Sequence, residues 1–333
     1  MRCDSEQLDL FAWPGRAGSP PPRELDPHRP SPATIDVGAL STAALLQALE
    51  RLLEGAREPA AVSLIEEIAR RQLTEAVPML VALCRLHAGF DRARPVPEVV
   101  AALEALCALG AASAAGDILR LIEQGAFGPA ASAAALRFLA VARHRPAARL
   151  SHIALSHEHA AVRAEACALV ATLGQRDAVE QLRALSADVD AGVAAAADLA
   201  RGHLGDHAVK AALEQRLRTA AAGEIPHIAR ALTGVADADT VVLLGRTAGR
   251  SDTALRHVIA DLLGQIDAPA AVPWLVRFTG DEQPEVRLAA AGALAEHDDP
   301  RATTALRALA EDSDPTVREA AAALARELVK RGS

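Results

Sequence analysis

The sequence predicts an all-α solenoid, a stack of about nine short helix pairs, and three observations carry that prediction. Arginines 256, 287 and 318 fall 31 residues apart in segments that align without gaps: Ala254-Leu255-Arg256-His257-Val258, Glu285-Val286-Arg287-Leu288-Ala289 and Thr316-Val317-Arg318-Glu319-Ala320. A period of that size marks a repeat array. Second, 51% of the 333 residues are hydrophobic while only 2% are aromatic and none is Tyr. The apolar content therefore comes from Ala, Leu and Val, and Ala and Leu are strong helix formers whose small or flexible side chains suit close helix packing. Third, apolar residues recur at helical spacing. From Val317, the residues Ala320, Ala321, Leu324, Ala325 and Leu328 trace one buried stripe, and Val286, Ala289, Ala290, Ala293 and Leu294 repeat it.

Length alone would suggest two domains, but a repeat array escapes that rule because each unit packs only on its neighbours. Earlier copies fit the same register: Val162-Arg163, then Val193-Ala194 at the next period, with weaker starts near Pro226, Val100, Ser132 and Ala61. Asp314-Pro315, Asp299-Pro300, Gln283-Pro284 and Ala268-Pro269 read as helix starts, since proline suits the first turn and Asp caps free amides. Glycines 174, 205, 234 and 264 stand near the ends of second helices, where a left-handed terminator is useful. Residues 88–97 read as a longer loop. These signals divide the chain into a tail at 1–37 and a solenoid at 38–333.

The stretch from Leu263-Gly264-Gln265-Ile266-Asp267-Ala268-Pro269 through Ala270-Ala271-Val272-Pro273-Trp274-Leu275 resembles the HEAT-like repeats first grouped with phycobilisome lyases. So do residues 281–294 and 312–324. The resemblance covers roughly 60–330 and weakens before residue 150. It implies stacked helix pairs with a concave face lined by second helices. In such stacks Asp and Arg side chains bond neighbouring turns, which gives Arg163, Arg256, Arg287 and Arg318, with Asp281 and Asp312 six residues before the last two arginines, a structural ladder role; the alternative is an anion-binding strip on the concave face. The scaffold hosts many functions, so it names no partner for the concave face.

Residues 1–36 hold seven of the 19 prolines and read as a tail without a packed core. Within it Gln7-Leu8-Asp9-Leu10-Phe11, followed by Trp13, is similar to the pentapeptide by which many bacterial replication and repair proteins hold the DNA sliding clamp. The resemblance implies Gln7 as the polar anchor and Leu10 with Phe11 as apolar plugs, with Leu8 and Asp9 matching the pattern. The alternative is that these residues cover an exposed end of the solenoid.

The net charge of −8 argues against a surface built for phosphate backbones, so direct nucleic-acid binding is not expected. A DNA glycosylase on this scaffold would need a basic concave face and aromatic residues, and only Trp274 and phenylalanines 90, 127, 138 and 278 lie within the array. Cys3, Cys84, Cys107 and Cys167 have no metal-type spacing and point to a reducing compartment. No run approaches the roughly 20 apolar residues of a membrane span, and the N-terminus has no leader pattern. A cytoplasmic location and, from the Arg-over-Lys and Ala bias, a GC-rich bacterial genome are expected.

Histidines 152, 157 and 159 cluster beside Glu158. Deoxyhypusine hydroxylase spreads several His-Glu pairs over its repeats, whereas only His157-Glu158 forms that dipeptide here. His203 and His207 are four apart, but Gly205 between them ends the helix, so no metal site is expected. No catalytic residue and no cofactor is assigned. The expected function is a non-enzymatic protein-binding scaffold, with the clamp as a second partner. The alternative is a bilin-lyase-like enzyme or enzyme subunit.

Overall fold

A computed structural model describes residues 36–56, 58, 60–89, 96–249 and 252–331. The chain divides into two units, Met1–Asp36 and Val37–Ser333. The tail motif at residues 7–11 and most of the 88–97 loop lie outside the described residues. From Val37 onward the described residues form α-helices and short 3-10 turns, with no strand among them.

Eighteen α-helices among the described residues fall into nine successive pairs. The pairs are α1 (Thr42–Leu53) with α2 (Ala61–Arg70), α3 (Val77–Leu86) with α4 (Pro97–Ala108), and α5 (Ala115–Glu123) with α6 (Pro129–Val141). Next come α7 (Ala148–Ala154) with α8 (Ala160–Leu173), α9 (Val179–Leu185) with α10 (Ala191–His203), and α11 (Lys210–Thr219) with α12 (Ile225–Thr233). The last three are α13 (Ala238–Ala248) with α14 (Thr253–Gly264), α15 (Val272–Phe278) with α16 (Pro284–Leu294), and α17 (Pro300–Leu309) with α18 (Pro315–Arg331). The weak sequence starts near 61, 100, 132 and 226 all fall on second helices.

Local chemistry sets the helix ends. Pro284, Pro300 and Pro315 open their helices, and Asp190, Asp237, Asp252 and Asp299 accept hydrogen bonds from first-turn amides. Pro269 departs from expectation. It lies in a turn, and α15 starts at Val272 with Pro273 in its first turn.

The apolar stripe of each second helix is buried: Val286, Ala290, Ala291 and Leu294 in α16 are sealed, as are Ala131, Ala135, Leu136, Phe138 and Leu139 in α6. Second helices of successive units lie closest to one another, α6 on α8, α8 on α10 and α14 on α16, while first helices touch their counterparts far less. Tighter spacing along one row bends the stack toward it, so the exposed face of the second helices is concave.

Two of the four marked glycines act as expected and two do not. Gly174 and Gly205 are left-handed at φ 70° and 82°. Gly234 is right-handed at φ −70°, and Gly264 is the last residue of α14. Their role is steric. A Cβ on Gly264 would lie 2.7 Å from Ala293 Cβ in α16, and one on Gly234 would overlap the Gly202 carbonyl at the end of α10.

Gly264→Ala should therefore destabilise the protein by about 1–3 kcal/mol through overpacking, although Ala is intrinsically the better helix former by ~1 kcal/mol. Gly292→Ala, in α16 with nothing within 4 Å of the added carbon, should leave stability unchanged or raise it. Urea unfolding of both variants checks the contrast, and equal effects would contradict the close-approach account.

Candidate functional site: a basic concavity at the central junction

The sequence-marked arginines make inter-unit bridges. Arg163 donates from Nε and Nη2 to the two oxygens of Asp188, each at 2.8 Å, and from Nη1 to the His157 and Glu158 carbonyls. Arg256 donates from Nε and Nη2 to Asp281 at 2.8 and 3.1 Å. Arg287 reaches Asp312 at 2.8 and 2.7 Å and the carbonyls of Asp281 and Glu282. The Arg163 and Arg287 guanidiniums thus clamp the loop of their own unit and the carboxylate of the next. Arg318, on the final helix, donates to the carbonyls of Asp312 and Ser313. Asp281 and Asp312, noted for standing six residues before an arginine, present their carboxylates to the arginine 25 residues upstream and only a carbonyl to the arginine that follows. Their partner Asp188 escaped the sequence reading, although its 25-residue separation from Arg163 matches the other two pairs. Hydrogen bonds from Arg163 and Arg287 hold the Asp188 and Asp312 carboxyls below their ordinary range.

The ladder is interrupted in the middle of the stack. Position 194, one period after Arg163, is Ala. Here the apolar core also falls into two clusters, one ending at Leu204 and the other beginning at Val209. Asp206, between α10 and α11, bridges the gap. It accepts from Arg183 Nε and Nη2 at 3.0 Å each, from Arg201 Nε at 2.8 Å and from the Ala208 amide at 3.2 Å. Arg201 also donates to Ser186 Oγ and Asp198. The Asp206 side chain is only 4% exposed, sealed by two guanidiniums, and the Arg183 bonds hold its carboxyl well below the ordinary range.

Above this junction, on the concave face, α8, α10 and α12 enclose a pocket of about 430 Å³. Small side chains make its floor: Ala168 and Ala171 from α8, Ala196 and Ala200 from α10. Arg143, His203, His227 and Arg230 make its rim, and no Asp or Glu is among the described residues that line it. None of the four rim side chains has a hydrogen-bond or ion-pair partner among the described residues. Packed protein around the His203 ring, with Arg230 and then His227 nearby, pushes its pKa below the ordinary value.

A second concavity, about 830 Å³ between α14 and α16, has the opposite character, with Asp261, Asp267 and Glu296 beside His257 and His297. His297 is buried, and its Nε2 lacks a hydrogen-bond partner among the described residues. No group of three metal-capable side chains assembles among the described residues. His203 closes α10 and His207 lies beyond the left-handed Gly205, so a helix break separates the two rings. His157 and His159 stack at 5.5 Å on the loop before α8.

Among the described residues, the thiols and aromatics serve packing. Burial pushes the Cys84 and Cys167 thiols up to about 12 and Cys107 to about 11, which makes them poor nucleophiles at neutral pH. Phe127, Phe138 and Phe278 are buried. Trp274 belongs to the first-helix row, packed over Gly245 with the Arg277 guanidinium 5.8 Å from its ring.

Residues 240–325 match the family model of HEAT repeats. No curated protein sequence matches the chain. Among solved structures it is similar to the complex of CpcE and CpcF of phycocyanin lyase from Nostoc sp. PCC7120, with 16% identity over 92% of this chain and 98% of that one, at a TM-score of 0.46. It is similar to human deoxyhypusine hydroxylase at 21% identity, over 82% and 100% of the two chains, at a TM-score of 0.35. A designed armadillo repeat protein matches at 17% identity, over 76% and 99%, at 0.29. No helix among the described residues is long and apolar enough to cross a membrane.

Asp206→Ala should cost on the order of 3 kcal/mol, because two clustered guanidiniums lose their shared partner; chemical denaturation reads this. His203 gives a second check. A histidine whose folded pKa is lowered contributes stability that is full above its ordinary value of about 6.5 and declines as pH falls through the folded pKa. Arg230→Gln should move the His203 NMR titration midpoint upward, and an unmoved midpoint would contradict the assigned electrostatics.

Proposed function

We propose that this chain is a non-catalytic binding scaffold whose concave row of second helices grips a protein partner. The observation that carries the reading is the concave face itself. It presents an open floor of alanines rimmed by unpaired basic groups over α8–α12 and by acidic groups over α14–α16. Paired, by contrast, are the ladder arginines that tie unit to unit. Charged rims around small-residue floors suit a long, sequence-specific partner, since charge complementarity selects register and partner.

The tail supplies a second recruitment element in this reading. Gln7-Leu8-Asp9-Leu10-Phe11 matches the clamp-binding pattern, and a short peptide on a proline-rich tether suits capture by a preformed groove. The scaffold would then carry its concave-face partner to the sliding clamp. The protein is placed by this reading in the bacterial cytoplasm near replication or repair.

Two measurements test the two halves separately. A photo-crosslinking residue at Ala196 or Ala289, both on the concave face, should trap one discrete partner in cells, while the same residue at Arg149 on α7 should not; equal trapping at Arg149 would defeat the concave-face reading. A labelled peptide of residues 1–18 should bind purified bacterial clamp, and Leu10→Ala with Phe11→Ala should abolish it. Binding that survives the double substitution would remove the tail from the account.

A further inference from the structure

We infer that the pocket rimmed by Arg143, His203, His227 and Arg230 is a docking site for an acidic segment of a protein partner, an extended chain carrying spaced carboxylate or phosphate groups. This rests on the scaffold reading and adds the chemical class of the occupant.

Arg143 provides the first argument. Its backbone is left-handed at φ 47°, a conformation unfavourable for a non-glycine residue. At the same point, just past the end of a second helix, the neighbouring units carry Gly110, Gly174 and Gly205, all at positive φ. Gln72 is the other non-glycine there, and its side-chain amide explains it by donating to the carbonyls of Ala69 and, one unit on, Ala108. Arg143 has no such bond. A strained arginine kept where glycine fits, with its guanidinium on the pocket rim, is what an anion-binding role requires.

Rim composition provides the second argument. Arg143 comes from the end of α6, His203 from α10, and His227 and Arg230 from α12, and no Asp or Glu is among the described residues that line the pocket. In a chain of net charge −8 such a concavity focuses a local positive potential. The alanine floor lets a backbone approach closely.

Spacing favours an extended peptide. Packed helices lie about 8–10 Å apart, and three residues of extended chain rise about 10 Å. Anionic side chains three residues apart would therefore meet the basic groups of α10 and α12, and one roughly six residues from the α10 contact would reach Arg143, two helices away. A nucleic acid is the weaker candidate, because its affinity comes from many phosphate contacts along a basic track, and no Phe or Trp is among the described residues that line this pocket.

The test is fluorescence anisotropy on the full chain with an extended peptide carrying glutamate at every third position, its phosphoserine counterpart and a lysine counterpart. Binding of one or both anionic peptides, weakening as salt rises, and none of the lysine peptide is expected. Binding of the phosphoserine peptide alone assigns the site to phosphorylated partners. Arg143→Gly should melt at the same or a higher temperature while losing about fivefold in affinity, and Arg230→Gln should lose a similar amount. Arg149→Gln, an exposed charge on α7, should bind as the native chain does. Native-like affinity in both rim variants, equal loss in Arg149→Gln, or displacement by a DNA oligonucleotide more readily than by unlabelled anionic peptide would overturn the proposal. Failure here with concave-face crosslinking intact removes only the acidic-segment assignment, whereas loss of that crosslinking removes the scaffold reading beneath it.

Discussion

The close approach of successive second helices is the constraint on which the rest of this molecule depends. No helix pair can bury its apolar stripe alone, so each must find that burial on the next pair. Burial is effective only if the helices come near, and small residues at the contact permit it: Gly264 against Ala293, Gly202 against Gly234. Because the second-helix row makes the more extensive contacts, the stack bends. A concave face with shallow alanine-floored pockets is the geometric result.

Polar side chains then fix how neighbouring pairs sit on one another. Arg163, Arg256 and Arg287 each reach the carboxylate of the next unit, the first and last while also holding loop carbonyls of their own, and the planar fork suits that bidentate geometry. Where the ladder is interrupted at Ala194, the Arg183–Asp206–Arg201 cluster ties the pairs together instead, and there the apolar core divides. The basic concavity lies over the same junction. Its rim groups have no partner among the described residues, while Arg183 and Arg201 are committed to structure, so the two sets answer to different demands.

The fold was legible because its signals are local and repeated. The 31-residue spacing of Arg256, Arg287 and Arg318, the helical apolar stripes and the Asp-Pro starts each mark one unit, and nine copies reinforce one another. Misreadings occurred where a local signal has two physical meanings. Gly234 and Gly264 looked like terminators because glycine serves both turns and close contacts, and only the neighbouring helix decides between them. Pro269 looked like a helix start, yet Pro273 four residues later holds that place. The rim of the concavity was not legible at all. Arg143, His203, His227 and Arg230 are scattered over 88 positions of sequence and converge only because the repeat returns the ends of second helices to one face. The one available signal was Arg143 itself, standing where neighbouring units place glycine.

The claim that the concave row of second helices is the working surface is tested most directly by hydrogen exchange on the full chain with and without a saturating anionic peptide. Slowed exchange concentrated in α8, α10 and α12, with α7, α9 and α11 unchanged, is the predicted result. Protection spread over the first-helix row, or none anywhere in the stack, would contradict the account.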